Sequence, residues 1–353
     1  MALNNGKRAV RVRPGFPAVL PRVWRAPSRN PNFTGRAPAL QALRAGFTSG
    51  TAVAVHSVHG MGGIGKTQLA VEYAYTHAGD YDLVWWIDAE QAAVILDQFM
   101  GLADRLGVAV AVGDPDAVRE AVHDELGQTG RWLLVFDNAD DPADLAPWIP
   151  PRPPGPEPGR HVLITTRRGG YAGLGTVIDL DVLTLPEAVD LLARRRPGID
   201  PHAAEQIARE LDGLPLALEQ VAAYMDQAGL TGPEYLQLWR ERSSDLHGRG
   251  HPDHHRDTIA TLWQLSLERL RTRNPAAVQM LGICAWLAPD PIPLDLFTAH
   301  PAALPQPLAG VVQDALAFTE TIAATVDYSL AWRTPTSLQM HRLVQDVVRV
   351  TPA

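Results

Sequence analysis

A glycine-rich segment with one lysine and one threonine is the part of this sequence best suited to chemistry. Residues 60–67 read GMGGIGKT and fit the pattern G-x-x-x-x-G-K-[ST]. Glycines let a backbone curl so that successive N–H groups point inward at phosphate oxygens. Lys66 can then reach the β- and γ-phosphates, and the Thr67 hydroxyl can bind Mg²⁺. The spacing therefore predicts a loop that binds a purine nucleoside di- or triphosphate with Mg²⁺.

The segments on both sides of this loop have the types that such a loop requires. AVAVHSV at residues 52–58 has the composition of a buried strand, and TQLAVEYAY at 67–75 has a helical pattern. A helix that begins near Lys66 would direct the positive end of its dipole at the phosphates. This context favours a phosphate loop over a purely structural glycine turn.

A carboxylate for the metal ion is expected at Asp137. It ends the apolar run WLLVFD (132–137), and a strand-end aspartate of this kind holds Mg²⁺ in phosphate-loop proteins. The next residue is Asn138, whose amide can orient a water molecule but cannot accept its proton. Asp140 or Asp141 could substitute for the missing second carboxylate. The residues at the end of this strand therefore favour nucleotide binding over rapid nucleotide hydrolysis.

Two arginines follow the next strand-like run. HVLITT (161–166) leads directly into Arg167 and Arg168. An arginine at a neighbouring strand tip can reach a γ-phosphate and respond to its presence. We expect Arg167 to do so, with Arg168 as the alternative, and we assign Asp137 and Arg167 as the catalytic residues.

The fold is predicted from apolar runs that alternate with helical patterns. The runs with strand character span residues 52–58, 83–88, 132–137, 161–166 and 176–180. Helical patterns around 92–106 and 115–127 separate some of these runs, which predicts a doubly wound parallel five-stranded sheet covered on both faces.

Helices dominate the sequence after residue 184. Thr184 and Glu187 have the spacing of a helix capping box, and Thr231 and Glu234 repeat it. Two short strand candidates, DYSLAW (327–332) and SLQM (337–340), follow further helices near the end. The order predicts a small helical domain and then a winged-helix domain.

Charge and hydropathy exclude several classes of protein. Residues 1–71 hold ten basic and no acidic residues, whereas the rest of the chain holds 21 basic and 39 acidic residues, a net of −18. Such an acidic body argues against nucleic-acid binding. No apolar run reaches the ~18 residues of a membrane span, and the N-terminus has no secretory core, so we expect a cytoplasmic protein without a membrane partner.

The order of these motifs resembles the NB-ARC class of STAND nucleotide switches, which includes animal apoptosome scaffolds, plant disease-resistance proteins and bacterial regulators. The resemblance covers about residues 31–350. Residues 33–36 (FTGR) are similar to the motif whose backbone frames the adenine. Residues 213–217 (GLPLA) match a motif whose proline packs on the adenine. Residues 340–342 (MHR) stand where the family has Met-His-Asp, whose histidine contacts the β-phosphate of ADP and holds the closed state.

The resemblance implies a set of ligands and residue roles. The cofactors are ADP or ATP, with adenine following from the resemblance alone, and Mg²⁺ bound by Thr67 and Asp137. The residues expected to bind the nucleotide are Phe33, Arg36, Gly62, Gly63, Ile64, Gly65, Lys66, Thr67, Gln68, Pro215 and His341.

The resemblance also implies a domain organisation and a function. Residues 1–30 would form a basic arm or linker, 31–183 the nucleotide-binding α/β domain, 184–250 the helical domain and 251–353 the winged-helix domain. An ADP-bound closed monomer would convert to an ATP-bound open oligomer in signalling or transcriptional regulation. Effector and sensor domains would lie outside this chain.

Two departures from the family leave alternatives open. Arg342 replaces the aspartate of the Met-His-Asp motif, which affects the lock of the closed state, and Asn138 replaces the second carboxylate, which affects hydrolysis. The chain is then expected to be at most a slow ATPase. The alternatives are an active AAA-type ATPase or remodelling motor, against which Asn138 argues, and a winged-helix DNA-binding regulator, against which the acidic body argues.

Overall fold

The computed structural model describes residues 20–49, 52–57, 63–109, 114–139, 141–151, 159–247, 254–288, 291–340 and 342–350. Their contacts divide them into two units. The first unit takes its described residues from 1–33, 37–60 and 66–180, and the second from 34–36, 61–65 and 181–353.

A parallel sheet forms the centre of the first unit. Its strands are β1 (Val23–Arg25), β2 (Ala52–Ser57), β3 (Leu83–Asp88), β4 (Trp132–Asp137), β5 (Arg160–Thr166) and β6 (Thr176–Leu180). They lie in the order β1-β3-β4-β5-β2-β6, and every neighbouring pair is parallel. The inner strands β3, β4 and β5 are buried almost throughout, as expected of a sheet covered on both faces. The predicted parallel sheet is therefore confirmed.

The predicted number of five strands was wrong, because β1 adds a sixth. This strand lies in the segment that the sequence assigned to an arm or linker. Val23 pairs with Leu83 at the start of β3, and Trp24 packs edge-on against Tyr75 with ring centroids 4.9 Å apart. Three residues are too few to produce a periodicity, and the prolines around them hid the strand.

Five α-helices and three short 3₁₀ helices complete the described part of the first unit. The α-helices are α1 (Ala37–Ser49), α2 (Lys66–Thr76), α3 (Ala92–Leu106), α4 (Pro115–Gln128) and α5 (Pro142–Leu145). The apolar side chains of α3 and α4 pack on the sheet in one core with β3 and β4. Asp114 accepts backbone N–H bonds at the start of α4, which follows the usual preference for aspartate at a helix N-terminus.

The second unit is mostly helical in its described residues. Its longer helices are α6 (Leu185–Arg195), α7 (Pro201–Glu210), α8 (Pro215–Ala228), α9 (Gly232–His247), α10 (His254–Arg273), α11 (Pro275–Cys284), α14 (Ala315–Asp327) and α15 (Arg342–Val350), with short helices α12 (Asp295–Thr298) and α13 (Leu308–Val311). The predicted capping box is present at α6, where the Thr184 hydroxyl donates to Glu187 at 2.7 Å.

A small antiparallel sheet lies in the same unit. Its strands are β7 (Ile292–Pro293), β8 (Trp332–Arg333) and β9 (Ser337–Gln339), in the order β7-β9-β8. The strand predicted at 337–340 is present. The one predicted at 327–332 was placed too early, because α14 continues to Asp327 and the chain then turns at Ser329, whose φ is +51°.

No described helix has the length and apolar character needed to cross a membrane.

A buried polar cluster lies in the first unit around the start of β5. The Tyr81 hydroxyl lies 2.7 Å from Nδ1 of His161, and the Phe47 ring stacks on the imidazole with centroids 4.4 Å apart. Only 7% of His161 is exposed. Burial, aided by the nearby charge of Arg44, lowers the pKa of His161 to about 4.

This depressed pKa predicts an acid-sensitive fold. As the pH is lowered from ~6.5 to ~4, the unfolded chain takes up a proton at His161 and the folded chain does not. The free energy of unfolding therefore falls by on the order of 1 kcal/mol for each unit by which the pH is lowered. We expect His161→Gln to flatten this part of the stability–pH curve, measured by urea denaturation. The exposed His202→Gln is the control. Equal slopes in wild type and His161→Gln would contradict the assignment.

Candidate functional site

The side chains of Thr67 and Asp137 meet at the carboxyl-terminal end of the parallel sheet. Thr67 lies in the first turn of α2, and Asp137 is the last residue of β4. The Thr67 hydroxyl lies 2.9 Å from Oδ1 of Asp137 and 3.1 Å from Oδ2. The Thr165 hydroxyl, on the neighbouring strand β5, donates to the same Oδ1. Two strands and a helix therefore position one buried carboxylate.

The charges around this carboxylate are perturbed by burial. Burial raises the pKa of Asp137, against the opposing effects of Thr165, Thr67 and Lys66. Burial and the nearby positive charge of Arg167 together lower the pKa of Lys66 to about 8, against the opposing effect of the Asp137 charge. A buried ammonium group with a second cation nearby gains from an additional anionic ligand.

The oxygen atoms at Thr67 and Asp137 suit Mg²⁺. This ion prefers oxygen ligands, and it is usually held by one or two protein oxygens with phosphate and water completing the shell. Among the described residues no group of three or more His, Cys, Asp or Glu side chains could hold a metal ion. The pair therefore fits a magnesium ion that arrives with a phosphate ligand rather than an all-protein cage.

Arg167 lies just past the end of β5, as the sequence predicted. Its Nη2 atom is 3.6 Å from Oε1 of Glu90, and both side chains are largely buried. Arg168, the alternative, is exposed. The sequence analysis missed Glu90, because a glutamate two residues past a strand matches no motif. The one feature that could have indicated it is its position just after β3, the strand beside β4.

A tight turn presents Glu90 beside the end of β4. The backbone N–H of Ala89 donates to the Asp137 carbonyl at 2.7 Å, and the N–H of Glu90 donates to Oδ1 of Asp88 at 3.1 Å. Gln98 of α3 locks the turn, since its side chain both accepts from the N–H of Asp88 and donates to the carbonyl of the same residue, each at 3.1 Å. The turn is thus held at three points.

The residue after Asp137 has an unusual backbone. Asn138 has φ of +60°, a left-handed conformation that asparagine tolerates better than most side chains. Its N–H donates to the Thr165 hydroxyl at 3.0 Å. Asp141, one suggested substitute for a second carboxylate, is exposed and accepts from the N–H of Ala143 at the start of α5. Asp140, the other, lies outside the described residues.

The predicted phosphate loop is described from Gly63 onward, and Gly62 lies outside the described residues. Gly63 and Gly65 have φ of +80° and +97°, the left-handed backbone for which the glycine pattern selects. Ile64 between them is fully buried. Gln68, in the first turn of α2, is exposed.

Arg36 contacts the phosphate loop directly. Its guanidinium donates to the carbonyl of Ile64 at 2.9 Å and to the carbonyls of Asp181 and Val182 at 2.5 and 3.3 Å. Its own N–H donates to the Glu187 carboxylate at 2.7 Å. The sequence assigned the FTGR segment a role in framing a ligand through its backbone. The structure adds that the Arg36 side chain fixes the loop backbone.

The remaining predicted ligands fall at separate places. Pro215 is half-buried in the first turn of α8, and the N–H of the next residue, Leu216, donates to the Gly63 carbonyl at 3.3 Å. This bond brings the GLPLA segment to the loop. Phe33 is half-buried, and its N–H donates to the Asn30 carbonyl at 3.2 Å. His341 lies outside the described residues.

Removal of the Arg36 guanidinium should destabilise the second unit. Arg36→Met leaves up to three carbonyl groups without their donor, so we expect the free energy of unfolding to fall by about 3 kcal/mol in urea denaturation. The matched control is Arg209→Met, since Arg209 is exposed and, within the described part of the chain, forms its ion pair with Glu205 on its own helix. If both variants had the same free energy of unfolding, the three hydrogen bonds of Arg36 would not stabilise the fold as proposed.

Two family descriptions match this chain. Residues 40–194 match the NB-ARC domain, and residues 266–351 match a domain of unknown function, DUF7779. A nucleotide-binding leucine-rich repeat (NLR)-like protein from the fungus Hyaloscypha variabilis is 25% identical over 275 residues, which cover 67% of this chain and 27% of that protein. The regulatory protein AfsR from Streptomyces griseus is 31% identical over 217 residues, which cover 56% of this chain and 21% of AfsR.

A solved structure shows the same fold. It is a STAND (signal transduction ATPase with numerous domains) protein with a tetratricopeptide repeat sensor from Pyrococcus horikoshii, with a TM-score of 0.56 and 17% identity, and the match covers 94% of this chain and 44% of that one. The chain spans about a quarter of the length of the curated relatives named above. Residues 40–194, which hold most of the parallel sheet and the phosphate-loop helix, are therefore identified as an NB-ARC domain with the fold of a P-loop NTPase.

Proposed function

We propose that this chain is the nucleotide-binding core of a STAND switch and that it binds ADP or ATP with Mg²⁺. The observation that carries the proposal is the contact of Thr67 with Asp137 at 2.9 Å, beside Lys66, at the end of a parallel sheet. In open α/β sheets, ligands bind outside the carboxyl ends of the strands.

Each residue of this group has a role toward the phosphates. Lys66 neutralises the β- and γ-phosphates, and the rise of its pKa on contact with them makes binding more favourable. Thr67 and Asp137 would hold Mg²⁺, which would supply positive charge to offset that of the phosphates. Arg167 contacts the γ-phosphate, so it distinguishes ATP from ADP.

The base is assigned to adenine because residues 40–194 match the NB-ARC domain. Phe33 and the backbone of Arg36 frame it, and Pro215 packs on its face. Gly62, Gly63, Ile64 and Gly65 supply backbone N–H groups to the phosphates, and Gln68 lies at the start of the helix that follows. His341 contacts the β-phosphate of ADP in the closed state.

The two nucleotides select different states of the protein. ADP favours a closed monomer through the His341 contact, and ATP favours an open form that associates with further copies, because a ligand shifts an equilibrium by its differential contacts. The second unit supplies a helical domain (184–250) and a winged-helix domain (251–353), and the three-stranded antiparallel sheet among its helices supports this division.

The output is regulation, in the cytoplasm, of signalling or transcription. The names of the relatives support this, since one is a regulatory protein and others are putative HTH-type transcriptional regulators of mycobacteria. We propose that effector and sensor domains act with this core. A tetratricopeptide repeat sensor is named for the Pyrococcus horikoshii protein.

Loss of Lys66 should abolish nucleotide retention. We expect purified wild-type protein to release ADP at close to one per chain when it is denatured, measured by mass spectrometry, and Lys66→Ala to release almost none. Lys7→Ala, which alters the chain's one other lysine, is the control and should keep the ADP. Circular dichroism checks that all three proteins are folded.

Other outcomes would contradict the proposal. Retention of ADP by Lys66→Ala would place the nucleotide elsewhere, and GDP or no nucleotide in wild type would contradict the adenine assignment. Sustained ATP turnover above ~1 per second, the low end of ordinary enzymes, would favour an active AAA-type motor over a switch. Light scattering tests the assembly: a non-hydrolysable ATP analogue with Mg²⁺ should produce larger species than ADP.

A further inference from the structure

The site lacks a carboxylate at the usual place for activating water. The residue after Asp137 is Asn138, whose amide cannot accept a proton. Its left-handed backbone, with φ of +60°, and its N–H bond to Thr165 show that the position is used to shape the chain. Asp141 is exposed and engaged at the start of α5. Among the described residues, the base for hydrolysis is therefore to be sought on another element.

Glu90 lies two residues beyond the end of the neighbouring strand β3. Strands β3 and β4 end in register, with Asp88 opposite Asp137, and the N–H of Ala89 donates to the Asp137 carbonyl. Glu90 is the next residue, so its side chain starts one residue beyond this bond. The bonds from Gln98 to Asp88 hold the turn in place. A carboxylate on such a locked turn keeps its position better than one on a free loop.

The partner of Glu90 ties it to the γ-phosphate position. Its Oε1 atom lies 3.6 Å from Nη2 of Arg167, with only 15% of the Glu90 side chain and 24% of the Arg167 side chain exposed. Arg167 also lies close enough to lower the pKa of Lys66. The same arginine is thus near both the phosphate-binding lysine and this carboxylate.

We propose that Glu90 is the general base of a slow ATP hydrolysis at this site. This inference rests on the proposed function, since it requires bound ATP. A water oxygen attacks the γ-phosphorus, and the bond from that phosphorus to the oxygen of ADP breaks. The Glu90 carboxylate accepts the water's proton and passes it to solvent. The products are ADP, inorganic phosphate and one proton.

Arg167 gives this base a resting partner. Without a γ-phosphate the Arg167 guanidinium pairs with the Glu90 carboxylate at 3.6 Å. A γ-phosphate competes for the same guanidinium, because the phosphate carries more charge and offers more acceptor oxygens. Glu90 is then released beside the group that water attacks. Each turnover includes this exchange of ion-pair partners, which is consistent with a low rate of ATP hydrolysis.

A single-turnover experiment on the full chain tests the assignment. Protein in excess is mixed with γ-labelled ATP and Mg²⁺, and released phosphate is followed over time. We expect slow hydrolysis in wild type, at least about 100-fold slower hydrolysis in Glu90→Gln, and an intermediate rate in Glu90→Asp. The control Glu120→Gln changes an exposed glutamate on α4 and should match wild type. ADP affinity, measured by calorimetry, should stay within about threefold in all variants.

A second readout does not depend on phosphate release. After overnight incubation with ATP, the nucleotide bound to Glu90→Gln should still be ATP by mass, whereas wild type should hold ADP.

Four results would overturn the assignment of Glu90. Hydrolysis by Glu90→Gln at the wild-type rate would exclude it as the base. A parallel loss of ADP affinity and rate would assign it a structural role. Wild type that binds ADP tightly but leaves ATP intact would exclude hydrolysis and leave the proposed function standing. Wild type that binds neither nucleotide would overturn both proposals together.

Discussion

The buried carboxylate of Asp137 is the constraint on which the rest of the first unit depends. A carboxylate out of water is costly unless donors surround it, and here two threonine hydroxyls do so, one from the helix after the phosphate loop and one from strand β5. These bonds require the ends of β4 and β5 and the start of α2 to lie at the same level. The same arrangement creates the oxygen pair that suits Mg²⁺. The arrangement that gives the buried carboxylate its hydrogen bonds thus also places the oxygen atoms for the proposed metal ion.

Much of this region could be predicted from the sequence because the relevant signals are local. WLLVFD and LVWWID are near-continuous apolar runs of strand length, and both form strands with the predicted bounds. The glycines at 63 and 65 are needed for backbone conformations that other residues avoid. The start of helix α6 was also predictable, because Thr184 and Glu187 form a capping box within four residues.

The parts that could not be predicted depend on contacts between distant segments. The three residues of β1 become a strand only because β3 offers an open edge. Arg36 reaches carbonyl groups at residues 64, 181 and 182, and nothing in its own neighbourhood specifies them. Glu90 gains its interest from Arg167, 77 positions away in the numbering. Such contacts arise from the topology of the fold, and they leave no repeating pattern in a single sequence.

Strand β1 has a practical consequence for where this protein can be cut. An unpaired edge of a sheet is a template for pairing with other chains, and proteins cover such edges or keep them short. Here a three-residue strand covers the edge of β3, whose Leu83, Val84 and Trp85 are nearly inaccessible to water. A fragment that began at residue 31, where the motifs of the α/β domain start, would lose this cover. It would leave an apolar strand edge open to water, and such a fragment would be prone to aggregate through the edge that residues 23–25 close in the longer chain.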